Sequence, residues 1–66
     1  MNKKELRSLK VSIETLKNRG VLRQEDEARL KKCLKSLDHA LSVGKRNDIR
    51  ATIDKIARTI VNSIGG

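Results

Sequence analysis

The chain contains no phenylalanine, tyrosine or tryptophan, no proline, and a single cysteine. Each absence removes a class of answer. Without aromatic rings there is no stacking platform for single-stranded bases, and a core has to be assembled from Leu, Ile and Val. One cysteine leaves no intrachain disulfide, and with only one histidine there is no Cys/His spacing for zinc. No apolar run approaches the roughly 20 residues of a membrane span. The charged N-terminal stretch is not followed by an uninterrupted apolar segment, so no signal peptide is expected and the expected location is cytoplasmic. There is no glycine-rich phosphate loop, and no Ser or Thr stands beside a base and an orienting acid. These absences argue against an enzyme: no catalytic residue, metal or cofactor is expected, and function should lie in what the surface binds.

What the chain has in quantity is positive charge. Sixteen Lys or Arg against eight Asp or Glu give a formal net charge of +8 on 66 residues. A balance that far from zero repels itself unless something anionic is near. A chain this short also hides only about 60% of the surface its unfolded form exposes. With no disulfide or metal to staple it, oligomerisation is the remaining common device, so a homodimer or a larger assembly is expected.

The local pattern is helical throughout. Apart from the terminal pair, the glycines are Gly20 and Gly44, each reading as a helix C-cap. They divide the chain into three segments of helical length. In the first, Leu6, Leu9, Ile13 and Leu16 recur at three- and four-residue steps, and Asn2 with Glu5 resembles a capping box. The second opens with Glu25, Asp26 and Glu27, acids that favour a helix N-terminus, and continues with Leu30, Cys33, Leu34, Leu37 and Leu41 on one face. The third begins near Asn47, read as an N-cap, and carries Ile49, Ile53, Ile56, Ala57, Ile60 and Ile64 as a stripe with Val61 at its edge. Helices are predicted at roughly 3–19, 24–43 and 48–63. The fold class is all-α, a small three-helix bundle or a helical hairpin plus a third helix, in one domain over 1–66 and oligomeric.

The segment from Leu16 to Leu34, LKNRGVLRQEDEARLKKCL, resembles the SHOCT module, a short helical hairpin with a Gly-Val-Leu turn followed by acids. It covers under a third of the chain, and Ala28 stands where that family usually has an aromatic residue. A glycine C-cap followed by acids at a helix start generates the same string, so no family is assigned on it. The three acids themselves point about 100° apart on a helix and do not converge on one ion. Glu25 with Arg29 and Glu27 with Lys31 are instead expected to form i,i+4 pairs. Cys33 and His39, six residues apart, face different ways, so they do not pair; Cys33 is expected at the edge of the leucine stripe and His39 outward near Lys32 and Lys35. The terminal Gly65 and Gly66 are expected to be a frayed end.

On helix one Lys3, Arg7, Lys10 and Lys17 project along one strip interrupted by Glu14, and Lys45, Arg46 and Arg50 surround the second turn. Phosphate contacts need only Lys and Arg on a helical face. The expected function is therefore a small basic helical binding protein, a nucleic-acid-binding accessory or regulatory protein acting by electrostatic contact with duplex DNA or structured RNA. Its candidate contacts are Lys3, Arg7, Lys10, Lys45, Arg46 and Arg50. The alternative is a small adaptor or inhibitor, of the kind phages and mobile elements carry, that covers an acidic surface of a larger protein. The isoleucine row Ile49, Ile53, Ile56, Ile60 and Ile64 is the expected oligomer interface.

Overall fold

The computed structural model describes residues 1–65, and they form three helices: α1 (Lys3–Asn18), α2 (Gln24–Val43) and α3 (Arg46–Gly65). No strand occurs among the described residues. Gly65 closes α3, and Gly66, the second half of the expected frayed end, lies outside the described residues. The molecule extends 33 × 19 × 15 Å, its long dimension set by the two 20-residue helices, each about 30 Å long at 1.5 Å per residue.

The first two helices start and stop on the signals in their sequence. The Glu5 backbone N–H donates to Asn2 Oδ1 at 2.8 Å, satisfying one of the four donors a helix N-terminus leaves free. At the other end Gly20 takes φ +70°, a conformation with a steric cost for any residue that has a Cβ. Its N–H donates to the Lys17 carbonyl and the Val21 N–H to the Leu16 carbonyl, the paired bonds of a Schellman motif.

α3 departs from expectation at both ends, running from Arg46 to Gly65 where the sequence pattern predicts 48–63. Asn47 therefore lies inside the first turn and is not the N-cap. Lys45 takes that place, because its carbonyl accepts the first helical bond, from the Ile49 N–H at 3.0 Å. Gly44, at φ +73°, turns the chain so that the Lys45 N–H simultaneously closes α2 on the Ala40 carbonyl at 3.1 Å. One residue thus ends one helix and begins the next, leaving only Gly44 and Lys45 between them.

The chain runs up, down and up again, with α1 and α3 both antiparallel to α2. α2 packs on both neighbours, more extensively on α3, while α1 and α3 have no close backbone approach to each other. The core is Leu6 and Ile13 of α1, Leu22 of the first connection, Leu30 and Leu37 of α2, and Ile56 of α3. Leu30 and Leu37 are completely inaccessible, each contributing about 1.5–3 kcal/mol by removal from water. Leu9, Leu16, Cys33, Leu34, Leu41, Ile49, Ile53 and Ile60 pack around that centre, half-buried. Ala40, Asp26 and Ser63 are buried as well. The buried Ser63 hydroxyl links two helices, since its Oγ accepts the Arg23 backbone N–H at 2.9 Å and so joins the entry of α2 to the last turn of α3. The Arg23 side chain cannot itself cap α2, having no acceptor.

Candidate cationic interface

All sixteen Lys and Arg side chains are exposed. Among the described residues one ion pair forms, Arg58 Nε to Asp54 Oδ2 at 3.0 Å, between two solvent-exposed groups. The i,i+4 pairs expected of Glu25 with Arg29 and Glu27 with Lys31 do not close. Glu25 and Arg29 are both exposed, and an exposed pair gains too little to hold two flexible side chains together. Glu27 is half-buried in a groove between α1 and α2, lined also by Lys10, Glu14, Lys17 and Lys31 over a floor of Ile13, Leu22 and Leu34.

The six candidate contacts divide between two places. Lys45, Arg46 and Arg50 gather at the end of the bundle where the α2–α3 turn lies. Arg46 and Arg50 there line a recess with Met1, Leu41, Gly44 and Ile49, which puts the start of α1 beside them. Lys3 opens α1 two residues after Met1, and Arg7 follows one turn later on the same face. Lys10 belongs elsewhere, in the α1–α2 groove. Because α1 and α3 run parallel, both present their N-termini at this end and add the positive ends of two helix dipoles to the side-chain charge. The acids of the two first turns, Glu5 and Asp48, offset part of it.

The isoleucine row is largely used within the chain. Ile56, 3% exposed, is in the core, and Ile49, Ile53 and Ile60 pack against it, whereas Ile64 is 55% exposed and its neighbour Val61 65%. Ile56 is therefore taken up by the chain's own core, and the exposed part of the row is its outer edge at Ile64. Ser63 holds the inward position that the apolar pattern alone would give to Ile64.

Cys33 is a free thiol packed at the edge of the core. His39 is exposed and lines a shallow groove between α2 and α3 with Lys35, Ser36, Asp48 and Lys55; Lys32, its expected neighbour, does not border that groove. Among the described residues no group of three or more His, Cys, Asp or Glu is placed to hold a metal ion. No helix among them is long and apolar enough to cross a membrane. The chain matches no family model, no curated protein and no solved structure. The likeness of Leu16–Leu34 to the SHOCT module is accordingly that of a Schellman turn followed by acids.

Proposed function

We propose that this protein binds nucleic acid through electrostatic contact, as a small accessory or regulatory factor without catalytic activity of its own. The observation that carries the reading is the state of the charge: sixteen exposed cations, fifteen of them with no carboxylate within 4.0 Å among the described residues. Cations left this free are available to phosphates, and displacing counterions from a phosphate backbone rewards charge alone, without aromatic stacking or a cofactor. Lys3, Arg7, Lys45, Arg46 and Arg50 at the turn end supply the densest group. Helix insertion into a groove with base readout has no comparable support, since the first turn of α2 carries Glu25, Asp26 and Glu27.

Binding of the full chain to random-sequence duplex DNA and to structured RNA across a salt series tests this. The parent should bind tightly at low salt and weaken steeply as salt rises. The Arg46→Ala, Arg50→Ala double variant should reduce the slope of log K against log salt by about 2, one unit for each lost phosphate contact. Lys10→Ala, in the other groove, should leave the contribution of the turn end intact. No binding by the parent at low salt sinks the nucleic-acid reading; an unchanged slope in the double variant removes the turn end from it.

One observation favours a second reading. The arginine recess has an apolar floor of Leu41 and Ile49, which suits a side chain of an acidic protein better than a phosphate. Failure to bind either nucleic acid, with capture of an acidic protein that Arg46→Ala and Arg50→Ala abolish, would select it.

A further inference from the structure

The recesses on the surface of the bundle differ in what lines them. The α1–α2 groove lies over Ile13, Leu22 and Leu34, and the arginine recess over Leu41 and Ile49. The groove between α2 and α3 has no Leu, Ile, Val or Met in its lining. Its floor is the buried Ala40 and the half-buried Thr52, with the small side chains of Ser36 and Ala51 beside them. The Thr52 hydroxyl is already satisfied, donating to the Asp48 carbonyl at 2.7 Å. Lys35 and His39 of α2 and Lys55 of α3 border this floor. A protein side chain is received by an apolar floor, whereas a phosphate group needs cations and room for close approach.

The groove does not end at His39. Asp48, which borders it, also borders the adjoining recess of the α2–α3 turn together with Lys45 and Arg46. Lys55, Lys35, Lys45 and Arg46 thus lie along one track from the side of the bundle to the turn end, and none of the four has a carboxylate within 4.0 Å among the described residues. Asp48 is the single acid in either lining. From Arg46 to Lys55 the track covers about 14 Å of α3 at 1.5 Å per residue, the axial length of about four phosphates of one strand of duplex DNA at 3.4 Å each. α2 and α3 are the most extensively packed pair of helices, so the two sides of the track are held at a fixed separation.

We propose that the α2–α3 groove seats the sugar-phosphate backbone of duplex DNA, continuing the contact made at the turn end, with Lys35 and Lys55 on either side of one strand and Asp48 opposing it. The inference rests on the nucleic-acid reading and adds Lys35, His39 and Lys55 to its contacts. Charge complementarity identifies the occupant. A chain without aromatic residues has no platform for splayed single-stranded bases, whereas a duplex supplies phosphates at the regular spacing that a line of cations on rigid helices can follow. Asp48 repels the same backbone in the middle of the track and so holds the contact weaker than the cations alone would make it.

Salt-series binding of the full chain to random-sequence duplex DNA, beside structured RNA, tests the groove, with helix content followed by circular dichroism. The Lys35→Ala, Lys55→Ala double variant should lower the slope of log K against log salt by about 2. The Lys17→Ala, Lys31→Ala double variant removes the same charge from the α1–α2 groove and should keep the slope of the parent. Asp48→Asn should tighten binding by about 3- to 10-fold, as expected for a like charge taken from beside a phosphate at a solvent-screened surface. Unfolding cannot produce that gain, so Asp48→Asn is the variant to read if the double lysine variant loses helix. Asp54→Asn adds the same net charge about 120° away round α3 and frees Arg58, and should leave affinity near that of the parent. An unchanged slope in a folded Lys35→Ala, Lys55→Ala variant, an equal loss of slope in the Lys17→Ala, Lys31→Ala control, an Asp48→Asn no tighter than Asp54→Asn, or binding to RNA alone would each overturn the proposal. A parent that responds to Arg46→Ala, Arg50→Ala but not to loss of Lys35 and Lys55 removes the groove and leaves the nucleic-acid reading standing; a parent that binds neither nucleic acid at low salt removes both.

Discussion

Replacing Ser63 with Ala removes one oxygen and creates almost no space, yet it should be among the more costly polar substitutions in this chain. The Ser63 hydroxyl accepts the backbone N–H of Arg23 at 2.9 Å, across 40 residues of sequence, and Ser63 itself is only 8% exposed. Alanine leaves that N–H without its partner at the entry of α2. A stranded buried donor costs about 1–3 kcal/mol, and because this bond is only part-buried, water recovers some of the loss. The expected penalty is therefore about 1 kcal/mol, at the low end of that range. In a chain of this size that lowers Tm by about 4–8 °C, well within the resolution of a thermal melt followed by far-ultraviolet circular dichroism. The control is Ser12→Ala, whose hydroxyl bonds only its own helix at an exposed site and whose loss should change Tm little. A Ser63→Ala melt indistinguishable from the parent, or from Ser12→Ala, would refute the claim that this bond fastens α3 to the start of α2.

Two further substitutions bear on the fold. Leu37→Ala, at a completely buried position, should cost about 2–5 kcal/mol, a large part of the roughly 3–10 kcal/mol that a chain of this length has, and should unfold much of the population in mild urea. A loss under about 1 kcal/mol would mean that the site collapses freely around the gap. Gly44→Ala meets nothing within 4 Å, so its cost should be purely conformational, about 1–2 kcal/mol for holding a Cβ-bearing residue at φ +73°. A neutral result in a urea titration would show that the turn relaxes out of the left-handed region.

The helices were legible in the sequence because local signals and apolar period agree. Gly20 and Gly44 mark the turns, Asn2 caps α1, and the row Leu30, Leu37 that period picks out is the most deeply buried in the molecule. The start of α3 was not legible, because Asn47 is the better capping residue in isolation. What prevails is the Gly44 turn, which brings the Lys45 N–H back to Ala40 and leaves the Lys45 carbonyl already aligned for Ile49. A bond of that kind, set by the turn, has no signature in residue type. Ser63 was missed for a related reason: a serine in an apolar stretch reads as outward-facing, and only the nearby Arg23 N–H makes an inward hydroxyl favourable. The candidate site was legible in composition but not in grouping. The strip Lys3, Arg7, Lys10 is continuous along α1, yet Lys10 is separated from the turn end because it borders the groove against α2.

The middle position of α2 also governs how the chain reaches this shape. Every pair of packed helices is adjacent in sequence, and no closure of the long loop from α1 to α3 is needed before native packing begins to stabilise the chain. Loop-closure entropy is then paid in two short steps, which places the protein among fast folders of low contact order. The shared residue Lys45 and the larger α2–α3 contact make that hairpin the natural nucleus, with α1 docking onto its exposed side afterwards. The same short connections that favour this order of assembly also hold the cationic turn end in place.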